Sequence, residues 1–158
     1  MDNTPNITNS ITVSGRIISD FVISHEVYGE KFYSFYIENQ RLSDTVDILP
    51  IIISERLLID ESYAVGDNVL IEGQIRSHNN FDGIKTHLKL SVFVKGIKTL
   101  DDICTDVNRT ILDGFVCKKP VYRTTPFGRE IADILLAVNR AYGKSDYIPA
   151  ICWGRNAK

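Results

Sequence analysis

Asp47-Ile-Leu-Pro-Ile-Ile-Ile and Asp146-Tyr-Ile-Pro-Ala-Ile-Cys are two versions of one strand, set 99 residues apart. The same offset relates Gly15 to Gly114, Gly29 to Gly128 and Pro50 to Pro149, while Asn39 answers Asn139 with a slip of one residue. Glycines and a strand aligned at one spacing mark an internal repeat, which has to be recognised before its elements are read singly. The first copy is the better delimited and sets the fold.

In that copy, residues 11–24 begin with the alternation Ile11, Val13, Gly15, Ile17. Residues 31–38 put Tyr33, Phe35 and Ile37 on one face, and residues 46–53 are a β-branched run. Ser54 is placed to cap a short helix over 55–61, ahead of a turn at Gly66-Asp67. Strands over 68–77 and 86–96 flank the turn-forming loop from His78 to Gly83 and predict a hairpin. Three strands, a short helix and two strands are the order of the OB-fold, a five-stranded Greek-key barrel. The fold class is therefore all-β, an OB-fold followed by the first three strands of a second OB-fold.

The predicted organisation is an N-terminal tail over 1–10, a first OB-fold domain over 11–98, a polar linker over 99–109, and the N-terminal part of a second domain over 110–158. Strands are expected there at 110–118, 130–139 and 147–153. Lys158 corresponds to position 59 of the first copy. The second copy is thus expected to be an incomplete barrel, about forty residues short, that pairs with a second copy of itself or packs onto the first domain, or else is disordered; self-association through 110–153 is favoured over disorder.

A net charge of -2 conceals an asymmetry. Residues 1–107 hold 9 Lys and Arg against 16 Asp and Glu, a net of -7, whereas residues 108–158 hold 9 against 4, a net of +5. A basic segment beside an acidic one points to a polyanion as partner for the former. Cys104, Cys117 and Cys152 form no CxxC pair and are odd in number, so they read as reduced thiols rather than a disulfide framework or zinc site. The sequence has neither a membrane-spanning apolar run nor a secretory signal, and an intracellular location is expected. His25, His78 and His87 lie only in the first copy, with no catalytic triad, metal-ligand spacing or Gly-rich phosphate loop; neither catalysis nor a cofactor is expected.

Strand parity selects the candidate binding face. Ala132, Ile134, Leu136 and Val138 form one face of the 130–139 strand, leaving Asp133, Leu135, Ala137 and Asn139 on the other. Ile148, Ala150 and Cys152 continue the apolar side, so Tyr147, Pro149, Ile151 and Trp153 lie opposite. An exposed Tyr and Trp on one strand make a stacking platform for bases of any sequence. Lys118, Lys119, Arg123, Arg129, Arg140, Lys144 and Arg155 surround it, with Tyr122, Phe127 and Tyr142 interleaved. Such cations can neutralise phosphates. The alternative from the residues alone is that Tyr147 and Trp153 pack beneath a helix and the arginines only solvate the surface.

The run Val121-Tyr-Arg-Thr-Thr-Pro-Phe-Gly-Arg-Glu-Ile-Ala-Asp-Ile-Leu-Leu-Ala-Val-Asn-Arg140, followed by Asp146-Tyr-Ile-Pro-Ala-Ile-Cys-Trp-Gly-Arg-Asn-Ala157, resembles the bacterial single-stranded DNA-binding protein family over residues 110–158. The resemblance implies base stacking on Tyr147 and Trp153 and phosphate contact by Arg123, Arg140 and Arg155. It also implies single-stranded DNA as the partner, in replication, repair or recombination, with homo-oligomerisation and a cytoplasmic, nucleoid-associated location. The sequence has no Gly/Pro/Gln-rich tail or acidic tip, which puts recruitment of replication and repair proteins by that route in doubt. The first copy has Ile48 and Ser54 where the second has Tyr147 and Trp153, and reads as a structural or protein-interaction domain with at most a weak face at Tyr36, His78, Phe81 and Lys85. Rival functions are a protein-interaction module of a replication complex and single-stranded RNA binding.

Overall fold

The computed structural model describes residues 8–101 and 106–158. Cys104, part of the linker and most of the N-terminal tail lie outside the described residues. The first copy contributes β1 (Asn9–Ile17), β2 (Val22–Val27), β3 (Glu30–Gln40), β4 (Val46–Ser54), β5 (Asn68–Phe81) and β6 (Thr86–Thr99). β1 pairs with β3 at Arg16↔Glu38 and with β5 along Ile11↔Gly73 to Arg16↔Asn68, and β4 runs parallel to β6 at Ile51↔Val92. The path β1-β3-β4-β6-β5-β1 therefore closes, and the first copy is an OB barrel.

Alternation along each strand fills the barrel. Val13, Ile17, Phe35, Ile37, Ile51, Ile53, Val69 and Ile71 are buried in one cluster, and each large aliphatic side chain so buried contributes roughly 1.5–3 kcal/mol. The 11–24 stretch divides at residues 18–21, and β2 forms a hairpin arm with β3 whose residues are all exposed. Ser54 caps, as predicted, but the helix shrinks to one 3-10 turn, Glu55–Leu58. Leu57 and Leu58 already pack on the core, and the Asp60-Glu61-Ser62 that follows offers no apolar face to extend it. The β5–β6 hairpin is longer than expected. Its strands continue to Phe81 and on to Thr99, and the tip is closed by the Asp82 carboxylate, which accepts the Ile84 and Lys85 N–H groups, and by the Asp82 N–H, which donates to the Lys85 carbonyl.

The second copy supplies β7 (Asn108–Leu112), β8 (Phe115–Val116), β9 (Val121–Thr124), β10 (Glu130–Asn139) and β11 (Ser145–Trp153). The strand expected at 110–118 is broken in two at Asp113-Gly114. β7 joins the first sheet, antiparallel to β1, with Ile11 opposite Thr110; these residues are themselves 99 apart, so the ladder lies on a local two-fold axis of the repeat. β8 and β9 flank one edge of β10 and β11 the other, as β1 and β2 flank β3 opposite β4. The glycines confirm the correspondence. A Cβ on Gly15 would lie 2.5 Å from the Glu38 carbonyl oxygen, and one on Gly114 2.5 Å from that of Ala137, again 99 residues on. One detail is corrected: Asp47 pairs with Asn39 and Asp146 with Val138, so the ladder has no slip and Asn139 is not the counterpart of Asn39. Buried Asn39 instead holds the segment that leads into β7 against β1 by donating to the Ser14 and Val107 carbonyls.

The second copy packs on the first domain. Besides the β1–β7 ladder, the Ser77 N–H donates to Asp146 Oδ1 (2.9 Å) and the Tyr147 N–H to Ser77 Oγ (2.8 Å).

Candidate nucleic-acid interface

β10 is the spine of the candidate site, because its outward residues are flanked on both sides by outward residues of neighbouring strands. Three cross-strand rows follow. Phe115, Ala137 and Tyr147 form one; Val121, Asp133 and Ile151 a second; Arg123, Ile131 and Trp153 a third, with Ile131 itself buried. Tyr147 and Trp153 are 48% and 52% exposed, while Ile148 between them is buried and Ala150 and Cys152 are half-buried. Six residues of strand separate the two rings by roughly 20 Å.

Phe115 is the residue that sequence reasoning missed. It is 69% exposed and lies one row across from Tyr147, with only the methyl of Ala137 between them. Two strand spacings put the ring-bearing positions about 10 Å apart, a slot floored by a small side chain and walled by two aromatics. The repeat held the signal. Positions 16, 38 and 48 of the first copy correspond to this row, and there Arg16 and Glu38 form a 2.9 Å ion pair beside Ile48. A charged, self-satisfied row in one copy is an open aromatic row in the other.

The remaining predicted residues are dispersed. Arg123 and Trp153 share a row, but Arg123 is held by Asp133 at 2.7 Å. Tyr122 stands in a row with Ala132 and Cys152 and so lies on the opposite face from Trp153. Tyr142 is fully exposed in a left-handed conformation (φ 65°) in the β10–β11 turn, next to exposed Lys144. Asn139 ends β10, and Arg129 and Arg155 are exposed near the other end of the sheet. Lys118, Lys119, Arg129, Lys144 and Arg155 make no ion pair among the described residues.

Arg140 is engaged structurally. Its guanidinium donates to both oxygens of Asp146, whose residue is buried to 1% exposure. Burial by itself would raise the Asp146 carboxyl, but the bonds from Arg140 and the Ser77 N–H, with the field of Arg76, outweigh it and hold the group below the usual carboxylate range. The first copy repeats the pair in an exposed setting: Arg41, 99 residues before Arg140, binds Asp47 at 2.7 Å.

A closed five-stranded barrel joined by a sheet ladder to its own partial duplicate, with an aromatic face on the second sheet, defines an OB-fold protein. The sequence profile of the single-strand binding protein family matches residues 107–158. The N-terminal domain of the PriB protein from Thermoanaerobacter tencongensis, a dimeric structure, is 42% identical over 60% of this chain and 98% of its own, with a TM-score of 0.53. The single-stranded DNA binding protein of Thermus aquaticus is 19% identical and superposes with a TM-score of 0.78 over 94% of this chain and 75% of its own. That of Plasmodium falciparum, in complex with single-stranded DNA, is 17% identical, with a TM-score of 0.52 over 62% of this chain and 99% of its own. No curated protein matches. The chain belongs to the single-strand binding protein family.

Proposed function

We propose that this protein binds single-stranded DNA with little base preference, stacking bases on Phe115, Tyr147 and Trp153 and neutralising phosphates with the exposed cations around them. The observation that carries this reading is the exposed row Phe115–Ala137–Tyr147, continued by Trp153, in the copy whose net charge is +5. Bulky aromatics held in water on a rigid sheet serve recognition better than stability, and aromatic rings accept any base. Arg129, Lys144 and Arg155 are the phosphate contacts best supported, with Lys118 and Lys119 beside them; Arg123 and Arg140 have carboxylates to satisfy first. The setting is replication, repair or recombination, in the cytoplasm with the nucleoid, and the assembly is a homo-oligomer that works alongside replication and repair proteins.

Trp153 is the sole tryptophan, so its fluorescence reports on the site directly. Titration with oligo(dT) is expected to quench it, with affinity falling as salt rises. No quenching and no binding at low salt sinks the reading in favour of a protein-interaction module, and stronger quenching by oligo(U) transfers it to RNA.

A further inference from the structure

The first copy has lost the aromatic strand of its sibling, yet its equivalent face is not vacant. Ile52 on β4, Arg76 on β5, Phe93 on β6 and His25 on β2 line a cleft of about 300 Å³ that Arg140 of the second copy closes from the other side. The Arg76 guanidinium lies 4.2 Å from the centre of the Phe93 ring. Phe93 packs on Phe32 (5.8 Å), and His25 stacks on Phe32 in turn (4.8 Å, 6° between planes).

Arg76 is under-satisfied. One Nη donates to Gln74 at 3.0 Å, while its Nε–H is buried and has no partner among the described residues. A buried donor left without an acceptor carries a desolvation cost, and such groups call for an explanation. Among the described residues, none lining the cleft is acidic. The carboxylate bonded to this cluster, Asp146, is already committed to Arg140, so two guanidiniums share one negative charge. Burial, and then the repulsion of Arg140, disfavour the charged form of Arg76, and the field of Asp146 offsets them only in part.

We propose that this cleft, at the joint between the copies, receives a phosphate of the bound single strand between Arg76 and Arg140, with the adjoining nucleotide against Phe93 and His25. Ser77 lines the cleft and also binds the Tyr147 N–H, so a strand leaving Tyr147 meets the joint next. The acidic copy thus takes part in binding through residues from β2, β5 and β6 in place of the third-strand aromatics of its sibling. This inference rests on the single-strand reading above.

Two measurements on the intact chain test it. In protein labelled at arginine and tryptophan, adding oligo(dT) is expected to shift the Arg76 Nε–H resonance together with the Trp153 indole. Arg76→Gln is expected to lower oligo(dT) affinity about tenfold and to flatten the slope of log K against log salt by about 0.7, the contribution of one single-strand phosphate. A moving Trp153 with a stationary Arg76 overturns the joint site and leaves the single-strand reading standing. If neither moves, the reading on which both rest has failed. Inorganic phosphate alone shifting Arg76 as far as the oligonucleotide does, at equal phosphate concentration, identifies a simple anion site and overturns the strand path. The resonance of the unsubstituted protein decides the matter even where the variant does not fold.

Discussion

The buried Asp146 carboxylate of the second copy accepts the backbone N–H of Ser77 in the first copy while gripping Arg140 on its own strand pair. Asp146→Asn keeps the shape and removes the charge that Arg140 needs. Breaking a buried pair typically costs about 3–5 kcal/mol, and the partial exposure of Arg140 sets the expected loss near 3 kcal/mol in urea unfolding. A loss below about 0.5 kcal/mol, the ordinary surface value, contradicts the role assigned to this pair.

The same group sets an acid limit. Its pKa is lower folded than unfolded, so its stabilisation is fully present above the unfolded value of about 3.9 and disappears as pH falls through the lower folded value. Wild-type stability is therefore expected to fall more steeply on acidification below about pH 4 than that of Asp146→Asn, in parallel denaturation series. Equal acid profiles would exclude the depressed carboxyl.

Gly114→Ala tests the close crossing of β8 over β10. Its Cβ would sit 2.5 Å from the Ala137 carbonyl oxygen, and relief requires a backbone shift costing about 1–3 kcal/mol. Gly96→Ala is the control, since nothing lies within 4 Å of a Cβ there, and it should change stability by less than about 0.5 kcal/mol. Calorimetry of both variants makes the comparison.

Phe115→Ala and Trp153→Ala are each expected to weaken oligo(dT) binding by roughly 1–3 kcal/mol while leaving the melting temperature almost unchanged, because both rings are more than half exposed. The result that would return them to the core is the reverse pattern, unchanged affinity with a lowered melting temperature.

Engagement of Lys118, Lys119, Arg129, Lys144 and Arg155 together predicts a slope of log K against log salt of roughly -3 to -4, at about 0.7 per phosphate. Anisotropy titrations across a salt series measure it. A slope near zero would leave stacking as the only source of affinity.

The barrel was legible in the sequence because the first copy alternates cleanly and its breaks carry Ser54, Gly66 and Gly83 at the turns. Parity along the 147–153 strand also foretold which of its side chains are exposed. Cross-strand neighbours were not legible in the same way. Phe115 escaped notice because its strand was read as one piece over 110–118, whereas Gly114 breaks it and turns β8 alone onto β10. Tyr122 looked like part of the platform because it is aromatic and close to Arg123, but adjacent strand residues point to opposite faces, and only the register assigns each to a side. The cleft at Arg76 and Phe93 was invisible for a related reason: its members come from four strands, and net charge averaged over residues 1–107 conceals a small basic hollow.

The ladder that places Ile11 opposite Thr110 has a consequence for what each half is free to become. When two separate but identical chains pair across a two-fold axis, every substitution appears on both sides at once, so a row of rings gained on one face is imposed on the other. Peptide linkage of the two partners removes that obligation. The Arg16–Glu38 row and the Phe115–Ala137 row can then differ, and a surface that would otherwise be a duplicated, symmetric platform acquires a direction, with one end built of rings and the other of guanidinium and imidazole.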